Sequence, residues 1–214
     1  MMWRWQAAQF IEIRWWRRYL SGRSPEQYLS WKRQYWTYFL DKCAFYPAEG
    51  TRVLDAGCGP AGIFTILRKN EVWAFDPLLD RYDAQLEHFK KADYPWVRFE
   101  NQTLESLDLK DFFDVVFCLN AVNHVAKWDG AMTALVQSLK PGGTLILSID
   151  VHRYSFLKNL FRLLPGDVLH PQQHDLNDYA SWLSASGLVM LRMFPLKKER
   201  IFEYWVLVVT RPVD

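Results

Sequence analysis

The chain has 214 residues, half of them hydrophobic and 23% charged, with 10 Gly and 10 Pro, a composition that fits one folded domain of generous size and excludes disordered and collagen-like chains. Its three cysteines, Cys43, Cys58 and Cys118, are too few and odd in number for a disulfide scaffold, so a reducing, cytoplasmic location is expected. A formal charge of +2 is too small to suggest nucleic-acid binding by itself, no apolar run approaches the roughly 18 residues of a membrane span, and the N-terminus lacks the pattern of a secretory signal.

Residues 1–40 hold 12 aromatic side chains, six of them Trp, and seven Arg or Lys against two Glu. This shift in composition marks residues 1–44 as a helical segment preceding a domain over 45–214. The spacing predicts a first helix over 4–20, with Arg14, Arg17 and Arg18 on one face and Trp15, Trp16, Tyr19 and Leu20 on the other. A second helix is predicted from Ser24-Pro25-Glu26-Gln27 to Cys43, with Ser24 as N-cap, Pro25 in the first turn and Gln27 completing a capping box. Two readings stay open. The pair packs on a larger core with its arginines solvated, or it serves the function, as a lid over an apolar substrate or as a basic–aromatic helix, residues 3–18, resting on a membrane surface. Glu12, in the middle of the aromatic face, is either partly exposed or used; together with Trp16 it is a candidate substrate contact.

Residues 51–150 alternate strand and helix. Strands are expected at 52–55, 71–75, 96–99, 113–119 and 144–149, and helices at 62–69, 79–91 and 131–139. Near-continuous apolar strands imply a parallel sheet covered on both faces, which binds ligands outside its strand carboxyl ends. Further on, a helix is expected at 155–164 and another at 177–186. Two strands, 188–194 and 201–209, follow with a six-residue link that requires an antiparallel hairpin.

Between the first strand and the first sheet helix lies Val53-Leu54-Asp55-Ala56-Gly57-Cys58-Gly59-Pro60-Ala61-Gly62, and Asp76 ends the second strand 21 residues after Asp55. Glycines allow a sharp turn and close backbone approach to a ligand, and an acid at this distance can accept from both ribose hydroxyls. The spacing Gly57-x-Gly59-x-x-Gly62 also satisfies the dinucleotide fingerprint. Asp55, directly before the glycines, instead disfavours a pyrophosphate and suits adenosine carrying an ammonium or sulfonium.

VLDAGCGPAG resembles motif I of the class I S-adenosylmethionine (SAM)-dependent methyltransferases, and VWAFDP, NQTLESL, FDVVFCLNAVNHV and LKPGGTLILSI resemble the segments that follow it in that family. The resemblance implies a Rossmann-like, doubly wound, seven-stranded α/β sheet with an antiparallel C-terminal hairpin. It implies SAM as cofactor, with Asp55 at the methionine ammonium, Gly57 and Gly59 beneath the cofactor, and Asp76 on the ribose. Pro77, Leu104 and Glu105 would border the adenine, and Leu119 and Asn120 the methionine portion.

The acceptor side is less legible. Methyl transfer from a sulfonium is an in-line displacement that needs alignment above all, and a base only if the acceptor must lose a proton. His124 is a candidate base, or a structural histidine of the loop after the fourth strand. The ubiquinone-pathway O-methyltransferases are similar here but carry a metal-associated Glu-x-x-Glu-His; Asn120 and Asn123 replace both acids, and no metal is expected. His170 and His174 are candidate acceptor contacts, and Asp175 or Asn177 a helix cap. The reading is methyl transfer to a small apolar or aromatic acceptor, O-methylation first, with no nucleic-acid partner. An RNA methyltransferase and a non-catalytic partner subunit are the alternatives.

Overall fold

The computed structural model describes residues 2–152, 174–198 and 202–213. The helix expected over 155–164 and the candidate His170 lie outside the described residues.

Seven strands form one sheet: β1 (Arg52–Ala56), β2 (Glu71–Phe75), β3 (Val97–Glu100), β4 (Phe113–Leu119), β5 (Leu139–His152), β6 (Val189–Lys198) and β7 (Phe202–Thr210), in the order β3-β2-β1-β4-β5-β7-β6. The pairs β1–β2, β1–β4, β2–β3 and β4–β5 are parallel, and β7 runs antiparallel between β5 and β6. The strand order reverses at β1/β4, which places the crevice for a ligand at their carboxyl ends.

Helices cover both faces. On one side α1 (Met2–Leu20), α2 (Pro25–Cys43) and α3 (Leu79–Gln85) share a core with Val53, Val115, Phe117 and Ile146. On the other side α4 (Trp128–Ser138) and α5 (Leu176–Ala185) pack on Leu54, Val116, Cys118 and Leu147. Strand β4 reads as continuously apolar because its alternate residues enter these two different cores. Ile13, Leu20, Trp36, Phe39 and Leu40 of the first two helices are buried in the same core as the sheet.

Four local expectations are corrected. Residues 62–69 form no α-helix; the loop runs through short 3-10 turns at Gly59–Ala61 and Ile63–Thr65. The cause is burial: Ile63, Phe64 and Thr65 are all buried, three in a row, which an amphipathic helix with one inward face cannot satisfy. Ser24 is the N-cap of α2 and Pro25 opens it, but no side-chain capping bond forms, so the capping box with Gln27 is absent. The helix after β2 stops at Gln85 rather than continuing to Lys91. The box appears instead at α5, where Asp175 and Asp178 each accept from the other's backbone N–H. Trp15, expected on the inward face of α1, is half exposed.

Candidate active site

The glycine turn at the end of β1 is built from close contacts. Gly57 sits at φ +71°, in the left-handed region, and a Cβ there would lie 2.2 Å from the Cβ of Ala121. The N–H groups of Gly57 and Cys58 both donate to the Phe75 carbonyl, at 2.7 and 3.1 Å, and so tie the turn to the end of β2. Gly59, at φ +58°, donates its N–H to Asp76 Oδ2 at 2.9 Å, and Asp76 Oδ1 accepts from Leu78 N–H at 2.9 Å. Asp55 Oδ2 accepts from Phe64 N–H at 3.0 Å, and a Cβ on Gly62 would fall 2.3 Å from that same oxygen. Two buried carboxylates therefore flank one turn in which Gly57 and Gly62 have no room for a side chain.

Burial dominates the electrostatics. It pushes the Asp55 carboxyl up to about 7, against the opposing pull of the Phe64 N–H and the Lys32 ammonium. Asp76 is likewise pushed up to about 7, by burial first and by the neighbouring Glu12 second. Glu12 is itself raised by burial, and Tyr82 Oη donates to it at 3.1 Å. A carboxyl raised above its unfolded value near 3.8 holds its proton in the folded protein at pH values where the unfolded chain has lost it. The contribution of this pair is therefore retained below about pH 4 and lost as pH rises towards and through 7. Thermal melts of the unliganded protein are expected to fall in Tm between pH 5 and pH 8. Asp55→Asn, which removes one titrating group, should flatten that slope.

The first two helices close over this turn. Trp16 lies 3.8 Å from the position a Gly59 Cβ would occupy, and Trp36 Nε1–H donates to the Ala61 carbonyl at 2.9 Å. Lys32 sits over the rings of Trp36 (4.3 Å), Tyr35 (5.2 Å) and Trp31 (5.8 Å), within electrostatic reach of Asp55. Its burial lowers the ammonium to about 8. Glu12 and Trp16 are thus brought to the glycine turn and to Asp76, the place of the cofactor candidates. Lys32 is a residue the sequence reading missed: its aromatic neighbours at i+3 and i+4 were visible, but nothing local relates α2 to β1.

The remaining candidates divide. Pro77 follows Asp76, half-buried, and Leu104 is buried in the turn Leu104–Ser106. Glu105 Oε1 accepts from Ala126 and Lys127 N–H, at 2.8 and 3.0 Å, so this carboxylate holds the approach to α4. Leu119 is half-buried at the end of β4. Asn120 adopts φ +55°, donates its N–H to the Ser148 carbonyl at 3.0 Å, and keeps a buried Oδ1 with no partner. An orphaned acceptor next to the glycine turn fits a ligand that brings a donor. Asn123 accepts from Tyr179 Oη at 2.7 Å, and His124 lies exposed on the turn Val122–His124. His174 stacks on Trp128 at 4.1 Å and lies 3.8 Å from Asp178 Oδ2. It belongs to the α4/α5 layer, and the structure does not bring it together with Glu12 and Trp16. Also missed in the sequence was a polar group under α2 at the carboxyl end of β5: Tyr204 Oη and Ser148 Oγ lie 2.7 Å apart, with Tyr35 bonded to Tyr204.

A family model described as a methyltransferase domain matches residues 28–193, which include most of α2, the glycine turn, strands β1 to β5 and the first half of β6. The chain belongs to the class I SAM-dependent methyltransferases. A methyltransferase domain indicates an enzyme. The ubiquinone biosynthesis O-methyltransferase of Rickettsia typhi is 31% identical over 140 residues, 64% of this chain and 56% of that protein. That of Rickettsia bellii (strain OSU 85-389) is 34% identical over 139 residues, 64% and 57% respectively. The matches span little more than half the length of these curated relatives. Among solved structures, YcgJ from Bacillus subtilis has a TM-score of 0.65 at 17% identity, covering 84% of this methyltransferase and 99% of that chain. The 1,6-didemethyltoxoflavin-N1-methyltransferase of Burkholderia thailandensis, with bound 1,6-didemethyltoxoflavin and S-adenosylhomocysteine, has a TM-score of 0.58 at 16% identity, covering 91% and 84%. These two share the fold. No described helix is long and apolar enough to cross a membrane.

Proposed function

We propose that this methyltransferase transfers the methyl group of SAM to a hydroxyl on a small apolar or aromatic acceptor, in a reducing cytoplasm. The observation that carries the cofactor site is the tight glycine turn held between Asp55 and Asp76. O-methylation is supported by the curated relatives named above.

In this reading Asp76 accepts from the ribose hydroxyls, and Pro77 and Leu104 border the adenine, with Glu105 anchoring the wall behind it. Asp55 and the orphaned Asn120 Oδ1 receive the ammonium, and Lys32 faces the carboxylate of the methionine portion. Leu119 packs beside the same portion. Glu12 and Trp16, at Asp76 and Gly59, close the cofactor side of the pocket and exclude water from it. When bound, SAM supplies an already activated methyl group, so the protein's task is alignment of the acceptor oxygen in line with sulfur. His124, beyond the end of β4, takes the acceptor's proton.

The deciding experiment incubates the enzyme with labelled SAM and three acceptor sets: hydroxylated aromatic rings with apolar tails, small amines, and total RNA. Label on a ring hydroxyl is expected; label in RNA would overturn the acceptor class. His124→Ala is expected to lower kcat by about 10²–10⁴-fold with SAM affinity unchanged. Near-normal turnover would remove His124 from the mechanism.

A further inference from the structure

The inner face of α1 is committed to the protein. Ile13 and Leu20 are buried, Glu12 meets Tyr82, and Trp16 lies on the glycine turn. Its outer face is a different surface. Phe10, Arg14 and Arg18 follow one another at i+4, and Ile11 and Trp15 form a second row beside them at the same spacing. Phe10 is 56%, Ile11 43% and Trp15 50% exposed, so large apolar groups and guanidinium groups alternate on one convex strip. At its edge an open groove of about 880 Å³ runs between α1 and α3, floored by Phe10 and Ile13 and flanked by Arg14, Arg17, Arg18 and Arg81. No carboxylate lines this groove, and none of the four arginines forms an ion pair among the described residues.

We propose that this face of α1, with Arg81 of α3, docks the protein on a membrane surface rich in anionic phospholipid. Two observations select that partner. Four guanidinium groups around one groove match phosphate groups, which they bind through paired N–H donors. The exposed Phe10, Ile11 and Trp15 have an apolar layer to enter at the depth of the acyl boundary, which a nucleic acid's phosphate backbone does not provide. The helix lies flat across α3 and the glycine turn, so docking leaves it in place and sets the cofactor side of the enzyme against the bilayer. The proposal goes beyond the methyl-transfer reading and does not depend on it.

Flotation of the full chain with phosphatidylcholine vesicles, with and without a third of phosphatidylglycerol, tests it at low and high salt. Binding is expected only with phosphatidylglycerol, and salt should weaken it. Each basic residue at such a surface strengthens binding by about fivefold, so Arg14→Glu/Arg18→Glu should lower the partition at least about tenfold. Phe10→Ser/Trp15→Ser should lower it severalfold at unchanged charge, and Lys110→Glu, an exposed cation elsewhere, should leave it as it was. Equal binding to both vesicle types, or binding indifferent to the arginine reversal, would overturn the proposal. So would retention of transfer RNA with the same arginine dependence while vesicles are ignored. Calorimetric titration of SAM into the same preparations separates the two readings. Normal SAM binding without flotation removes the docking surface alone, whereas flotation without SAM binding removes the cofactor reading and upholds the surface.

Discussion

Asp76→Ala is expected to weaken SAM binding by about 10²–10⁴-fold, reading two lost charge-assisted hydrogen bonds at about 1.5–3 kcal/mol each. The substitution also leaves the Gly59 and Leu78 N–H groups without their present acceptor, at about 1–3 kcal/mol for each group that water does not reach. Against that cost stands a relief. Glu12 and Asp55 both press on Asp76 as like charges in a buried place, and removing it eases both. A folded protein with a modest change in Tm and no measurable cofactor binding is therefore the expected outcome, by calorimetry and thermal melts on the same sample. Asp76→Asn is the control, because it keeps one acceptor for the loop while giving up the charge. If Asp76→Ala bound SAM as the parent does, the nucleoside would have to lie elsewhere.

Gly57→Ala is expected to destabilise the protein by about 2–5 kcal/mol, combining a left-handed alanine at about 1–2 kcal/mol with overpacking at about 1–3 kcal/mol. The added methyl would stand 2.2 Å from Ala121 Cβ, and yielding there displaces Asn120, the neighbour with the orphaned acceptor. Two companions make the cause separable. Gly59→Ala meets only Trp16, at 3.8 Å, and so carries the conformational strain without the collision. Gly57→Ala/Ala121→Gly removes the opposing methyl and should recover the overpacking part of the loss. Denaturant unfolding of these variants, with Ala121→Gly alone added, gives the coupling energy between positions 57 and 121. A Gly57→Ala variant as stable as Gly59→Ala would mean that the turn and the exit of β4 are not in contact.

The contrast between Asp55 and Glu12 shows where sequence reading stops. Asp55 was legible because its neighbours in the chain, an apolar strand before it and glycines after it, already define a strand end and a tight turn. Glu12 lies on a helix whose spacing marks an inward face, but which carboxylate or hydroxyl it meets depends on Asp76 and Tyr82, far along the chain. Lys32 was invisible as a site residue for the same reason, since its partner Asp55 is brought near by packing of α2 on the sheet. The missing helix after the glycine turn is a subtler case. Its position between two strands suggested a helix, but Ile63, Phe64 and Thr65 are buried together and the chain turns inward there.

Strand and helix alternation, the antiparallel hairpin, the glycine turn and the two acids at its ends were determined by the sequence alone, because each follows from local spacing and from the steric freedom of particular residues. The tertiary structure decided what those elements touch. It brought the first two helices onto the glycine turn, tied Glu105 and Asn123 to scaffold partners, and set His174 in the α4/α5 layer. It also left an arginine-flanked strip of α1 facing outward. Contacts between residues distant in the chain depend on how whole faces pack, and no local pattern encodes the partner across the core.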